Sequence, residues 1–238
     1  LIISAVNDPD DKLLLAAARR QIALIDVTRW TERFTKSIDR LKKENIGSPV
    51  ILASGWMGGT ISLLASIHTS SLQDVQIHLH ALYSLQDKAG PDSTDYMDRM
   101  NIPFTVTTPT FALVSFVKSR IWNLLGKSTR QKILYNPGAG SPQHVVIQIN
   151  GCNQHGMNVK RQVEITDPKG QTHLTALGAA IFAQQIIRQS ENSTVTPGIL
   201  FPEDFGHFEM TAVDILQFYR SEGVQITIHD ETKKSRTV

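Results

Sequence analysis

Three short segments of this 238-residue chain carry residue types suited to holding a small molecule: Asn7-Asp8-Pro9, Thr28-Arg29-Trp30 and Gly55-Trp56-Met57-Gly58-Gly59. Asn and Asp side chains hydrogen-bond amides and ribose hydroxyls, and Arg pairs with a carboxylate or phosphate. Glycines at a helix start permit close backbone approach or leave N–H groups free for an anion. The same residues suit tight turns, so Asn-Asp-Pro and Gly-Gly also have a purely structural reading.

Position unites the three segments. Each follows a short apolar run, at residues 1–6, 22–27 and 49–54. The runs are separated by stretches of helical period: Leu13, Leu14, Ala17 and Ala18 in the first, then Phe34, Ile38 and Leu41 set against Arg33, Lys36, Arg40, Lys42 and Lys43 in the second. Apolar strands joined by single helices make parallel βαβ units. Open parallel sheets bind ligands outside the carboxyl ends of their strands, which places the three segments side by side along one edge.

Past Gly55 the pattern changes. Residues 57–69 read as a Gly-led helix, 75–82 alternate with period two, and 85–100 form a polar stretch containing Gly90-Pro91. A strand is expected at 103–108 and a helix at 110–125, with Leu113, Phe116, Val117, Ile121, Leu124 and Leu125 on one side. Strands at 145–150 and 159–166 pair across a turn, and helices at 172–190 and 204–220 precede a last strand at 224–229 and a polar tail. The expected fold is therefore α/β: the C-terminal half of a Rossmann-like parallel sheet, then a mixed α+β domain with an antiparallel sheet. The implied domains are residues 1–69, 70–170 and 171–238, the last packing partly back on the first.

Composition narrows the function classes. A formal charge of +2 gives no reason to expect a nucleic-acid or membrane partner. Cys152 is the single cysteine, which excludes an intrachain disulfide and makes a reducing, cytoplasmic setting the plain expectation. No apolar run approaches the roughly 18 residues of a spanning helix, and the first residues lack a signal-peptide pattern.

Other chemistry-bearing residues are weaker signals. Tyr83, Asp87, Lys88 and Tyr96 sit in or beside the polar loop, where acid–base groups are commonly mounted, although a solvated loop explains them equally well. Lys118 and Arg120 suit an anionic substrate or a solvent-facing helix surface. His78 and His80 share one strand face, but no third ligand at suitable spacing accompanies them, so no metal site is expected. Cys152 and His155 lie at a hairpin turn, which favours a structural cysteine, and Asp204, His207 and Glu209 suit helix capping.

The runs LIISAVNDPDDKLLLAAARRQIALIDVTRW and SPVILASGWMGGTISLLA, with the late TPGILFPEDF, resemble the saccharopine dehydrogenase and reductase-like proteins. The resemblance implies hydride transfer between NAD or NADP and an imine or amino-acid-like substrate. It places Asn7, Asp8 and Pro9 beside the nicotinamide, and gives Thr28, Arg29, Trp30, Gly55, Trp56, Gly58 and Gly59 to the cofactor edge and its mouth. Many relatives have Pro-Gly where this chain has Gly58-Gly59, and the G-x-G-x-x-G fingerprint with its later ribose-binding acid is absent. Either about 60 to 100 further residues precede Leu1, which its start within an apolar strand favours, or the chain is a relative without a cofactor.

Two alternatives stay open. One is a non-catalytic binding or dimerisation module, its alternating strands pairing across a two-fold axis as a homodimer. A sugar-oxidising oxidoreductase is the other, but the Glu-Lys-Pro turn it would need does not occur.

Overall fold

A computed structural model describes residues 1–29, 31–53, 56–82, 105–108, 111–115, 126, 128–129 and 141–233. Its first strand, β1 (Ile2–Ser4), is followed by α1 (Lys12–Arg19), β2 (Leu24–Asp26), α2 (Thr31–Leu41) and β3 (Pro49–Leu52). These strands are parallel neighbours, registered Ile2 on Leu24 and Leu24 on Val50. Their alternation covers both sheet faces. Leu24, Val50 and Leu52 pack with Leu14, Ala17, Ala18 and Leu41 of α1 and α2. Ile25, Ile51 and Ala53 point the other way, into the larger core. Burial on two faces explains why these strands read as continuous apolar runs.

From β3 the chain passes through the Trp56–Gly59 turn into α3 (Thr60–Thr69) and then β4 (Leu72–Leu82). The hairpin β5 (Thr105–Thr108) and β6 (Phe111–Ser115) belongs to a separate unit, Tyr83–Ser141. The main unit resumes with β7 (Gln143–Asn153), β8 (Asn158–Asp167) and α4 (Gln171–Glu191). It ends with β9 (Gly198–Leu200), a 3₁₀ segment (Pro202–Phe208), α5 (Ala212–Ser221) and β10 (Gln225–Lys233).

Strand β9 returns to the parallel sheet beside β3, giving the order β1-β2-β3-β9. The antiparallel sheet runs β10-β8-β7-β4. Val145, Ile147, Ile149, Val163, Ile165 and Ile226 on its inner face join Ile25 and Ile51 in one core, with α3, α4 and α5 contributing. Tyr219 of α5 ties the helices together. Its hydroxyl lies 2.9 Å from Thr60 Oγ1, which donates to the Leu174 carbonyl at 2.8 Å, and burial pushes the phenol's pKa up.

Two sequence expectations are corrected, and a third difference is a strand that was not expected. The helix expected at 110–125 is replaced over Phe111–Ser115 by a strand paired with β5, because a five-residue apolar run does not fix a helical period over a β one. The helix expected at 204–220 is broken. Glu209 adopts a left-handed φ of 56°, and Thr211 and Asp214 form a reciprocal capping box that starts α5 afresh. The third is β9, whose three residues are too short for periodicity to announce.

His68, in the last turn of α3, is 7% exposed and its Nε2 has no hydrogen-bond partner. Arg161 donates to the His68 carbonyl at 2.7 Å and pairs with Asp230, at 2.6 Å through Nε. Burial, and secondarily the Arg161 charge, lowers the imidazole from 6.5 to about 4, against a smaller opposing pull from Asp230. Protonation therefore favours the unfolded chain. Stability from this site is intact above about pH 6.5 and falls as pH drops from there to about 4, by about 2 kcal/mol at pH 5. Urea unfolding at pH 7.5 and pH 5 checks this: His68→Leu should show a shallower acid loss than wild type. Equal losses would mean that other groups cause the decline.

Candidate functional site

The carboxyl edge of the parallel sheet brings together the turns after β1, β2, β3 and β9. Its first half is closed by the protein's own charges. The Arg29 side chain is 1% exposed and lies among three carboxylates. Its Nε donates to Asp26 at 3.0 Å and Nη1 to Ser37 at 2.8 Å. Nη2 lies 2.7 Å from Asp26 and 3.8 Å from Asp8, and Nη1 also donates to Asp11. Asp11 has a left-handed φ of 59° and accepts from Arg40 at 2.7 Å and Ser37 at 2.9 Å. A guanidinium so occupied organises the turn. The carboxylates that it pairs are the protein's own.

Asp8 closes the start of α1. Its carboxylate accepts the backbone N–H groups of Lys12, Leu13 and Leu14 at 2.9, 3.0 and 3.1 Å. Those orphan donors, at the positive end of the helix dipole, are the groups that would greet a ligand anion. Thr28 donates to the Val6 carbonyl at 2.8 Å, linking the first two turns. Asn7 accepts from Arg33 at 3.1 Å and Pro9 is exposed. Trp30 and Gly55 lie outside the described residues, as do Tyr83, Asp87, Lys88, Tyr96, Lys118 and Arg120.

The glycines of the third turn are also occupied by protein. Gly58 and Gly59 have left-handed φ values of 61° and 81°. A Cβ on Gly58 would come within 2.7 Å of the Thr175 carbonyl, and one on Gly59 within 2.3 Å of Pro202. The close approach foreseen for a ligand is made by α4 and by the 3₁₀ segment.

Beyond these contacts, the second half of the edge stays open. Trp56, following β3, and Glu203, following β9, line a cleft of about 420 Å³ between α3 and β4. Ile61, Ser62, Ala65, Ser66 and Thr69 present one face of α3 to it. The opposite wall is Ile77 and Leu79, paired with buried Ile149 and Ile147 yet 43% and 39% exposed. Trp56 is half-buried. Glu203 is exposed and has no hydrogen bond or ion pair among the described residues. The volume falls within the usual 300–1,000 Å³ of small-molecule sites. A groove of about 480 Å³ lies at the amino ends of the same strands, lined by Ile22, Ala23, Ser48 and Pro49. The carboxyl-edge cleft is the better candidate because strand ends, a helix start and an unpaired charge converge there.

Sequence reasoning reached Trp56 but not Glu203. The available signal was its place three residues after an apolar triplet, and it required β9 to be seen as a strand. It also missed the pair formed by Asp167 and His173. Asp167 is fully buried, and His173 Nδ1 donates to it at 2.7 Å. Lys169 lies 3.4 Å from His173 Nε2 and 3.5 Å from the Glu222 carbonyl, so the cluster ties β8, α4 and the end of α5.

His78 and His80 are exposed on the outer face of the antiparallel sheet. Cys152 donates to Asn158 at 3.4 Å beside a hairpin turn in which Asn153 accepts from the His155 and Met157 N–H groups. Asp204 accepts from the Phe201 N–H, as a cap does.

Compared with known proteins, the chain matches no family model and no curated sequence.

Proposed function

We propose that this chain is part of a nicotinamide-dependent oxidoreductase that transfers a hydride between NAD or NADP and an imine or amino-acid-like substrate at the carboxyl edge of its parallel sheet. The observation that carries the reading is the open cleft at the ends of β3 and β9, walled by Trp56, on a sheet covered on both faces. In this reading the Asn7 and Thr28 turns border the nicotinamide, and Arg29 and Asp8 hold those turns in place. The cofactor supplies the hydride chemistry, while the apolar walls position the substrate carbon and exclude water. A cytoplasmic setting accompanies this reading.

Titration of the full-length protein with NADH and NADPH, followed by nucleotide fluorescence, tests the proposal. Saturable binding of either supports it. No binding of either at about millimolar concentration, the upper range of ordinary substrate constants, would overturn it.

One observation favours a second reading, a non-catalytic binding or dimerisation module. Asp8, Arg29, Gly58 and Gly59 are all engaged by protein groups. Under that reading the nucleotides do not bind, and sedimentation velocity finds a homodimer.

A further inference from the structure

We propose that the cleft between α3 and β4 selects an organic cation that bears no carboxylate, with its positive nitrogen between Trp56 and Glu203 and its apolar body along Ile77 and Leu79. The proposal rests on reading this cleft as the substrate site, and it narrows the imine or amino-acid-like class to imines and amines without an acidic group.

Among the described residues the cleft has a single ionisable lining residue, Glu203, and its carboxylate has no protein cation as partner there. Among the described residues no Lys, Arg or His lines it. An amino acid bound there would bring its own carboxylate towards Glu203 with no cation among the described lining residues to offset the repulsion, whereas an alkylammonium brings only the complementary charge. The indole adds to this preference, because its π face attracts a cation.

The two residues are brought together by the sheet. Strands β3 and β9 are adjacent and parallel, registered Ile51 on Leu200, so the turns that follow them leave the same edge. Gly59 fixes their approach by seating Pro202, the residue before Glu203, against the start of α3. The remaining walls suit an alkyl or aryl body. Ile61, Ala65, Ile77 and Leu79 supply apolar surface, and Ser62 and Ser66, one helical turn apart, add a hydroxyl edge.

Calorimetric titration of the full chain with four probes of equal length tests the assignment: hexylammonium, hexanol, hexanoate and the zwitterion aminohexanoate. Hexylammonium should bind at least about tenfold more tightly than the others, and its affinity should fall as salt is raised. Glu203→Gln should weaken it about five- to tenfold, and Trp56→Leu about fivefold. Glu203 is exposed, so the Gln variant should fold normally. Equal binding of hexanol or the zwitterion, an affinity unchanged to within about twofold by Glu203→Gln, or no hexylammonium binding at about ten millimolar would each overturn the assignment. A parallel titration with NADH and NADPH separates the two proposals. Nucleotide binding without cation binding defeats only the cation assignment, while cation binding without nucleotide binding supports it and defeats the oxidoreductase.

Discussion

Replacing Arg29 by Met should lower the unfolding free energy by about 3–5 kcal/mol, the largest loss expected for a single substitution at the sheet edge. The substitution retains most of the side-chain volume but removes the charge that Asp26, Asp11 and Asp8 surround. Asp26 and Asp11 are each 2% exposed, so neither can recover its hydration without local opening. Arg29→Lys should recover only part of the loss, because an ammonium cannot reproduce the fork that meets Asp26, Asp11 and Ser37 together. Adding Asp11→Asn and Asp26→Asn to Arg29→Met should restore much of the stability, since the orphaned charges are then gone. Urea unfolding at neutral pH measures all three. A loss below about 1 kcal/mol for Arg29→Met would show that the network contributes no more than a surface ion pair.

Gly178→Ala should destabilise the protein by about 2–3 kcal/mol, against the sign that helix propensity alone gives. Gly178 lies inside α4, where Ala is ordinarily favoured by about 1 kcal/mol. Here the added methyl would lie 2.4 Å from the Gly58 carbonyl oxygen and 2.9 Å from Thr60 Oγ1. Neither neighbour is the end of a flexible chain. The Gly58 oxygen is backbone, and Thr60 Oγ1 is held by Leu174 and Tyr219. Overpacking of this kind costs about 1–3 kcal/mol and more where backbone must shift. A melting temperature lower by about 5–10 °C follows for a chain of this size. Gly206→Ala is the control: nothing lies within 4 Å of its added methyl, and a shift of at most about 1 °C is expected. Thermal melts of the two variants side by side decide the matter.

The parallel sheet was legible in the sequence because strands buried on both faces advertise themselves. Leu24-Ile25 and PVIL are short apolar runs, and the helices that precede them, α1 bearing Leu14 and Ala17 and α2 bearing Leu41, carry the 3.6 period. The antiparallel hairpin was legible for the converse reason, since Val145, Ile147 and Ile149 alternate with half-buried or exposed residues. What could not be read was the use of each turn. Asp8 has the same chemistry whether it binds a ribose or three N–H groups of its own helix, and only the geometry of α1 decides. Gly58 and Gly59 satisfy a need for close approach in either case, and the sequence does not state what approaches. Glu203 stayed hidden because its role depends on a pairing between residues far apart in the chain.

That last pairing governs when the site can exist. Strand β3 and the Trp56 turn emerge before the neighbour that brings Glu203 to the cleft, which comes only after the long antiparallel strands β4, β7 and β8 and after α4. Contacts of such sequence separation carry a large loop-closure cost and form late in folding. Until β9 docks, the β3 edge is an unsatisfied apolar strand, open to pairing with another chain. A nascent or fragmentary form ending before Gly198 would hold the first three strands, α3 and β4 but not Glu203, so binding of the proposed cation would report completed folding as well as occupancy.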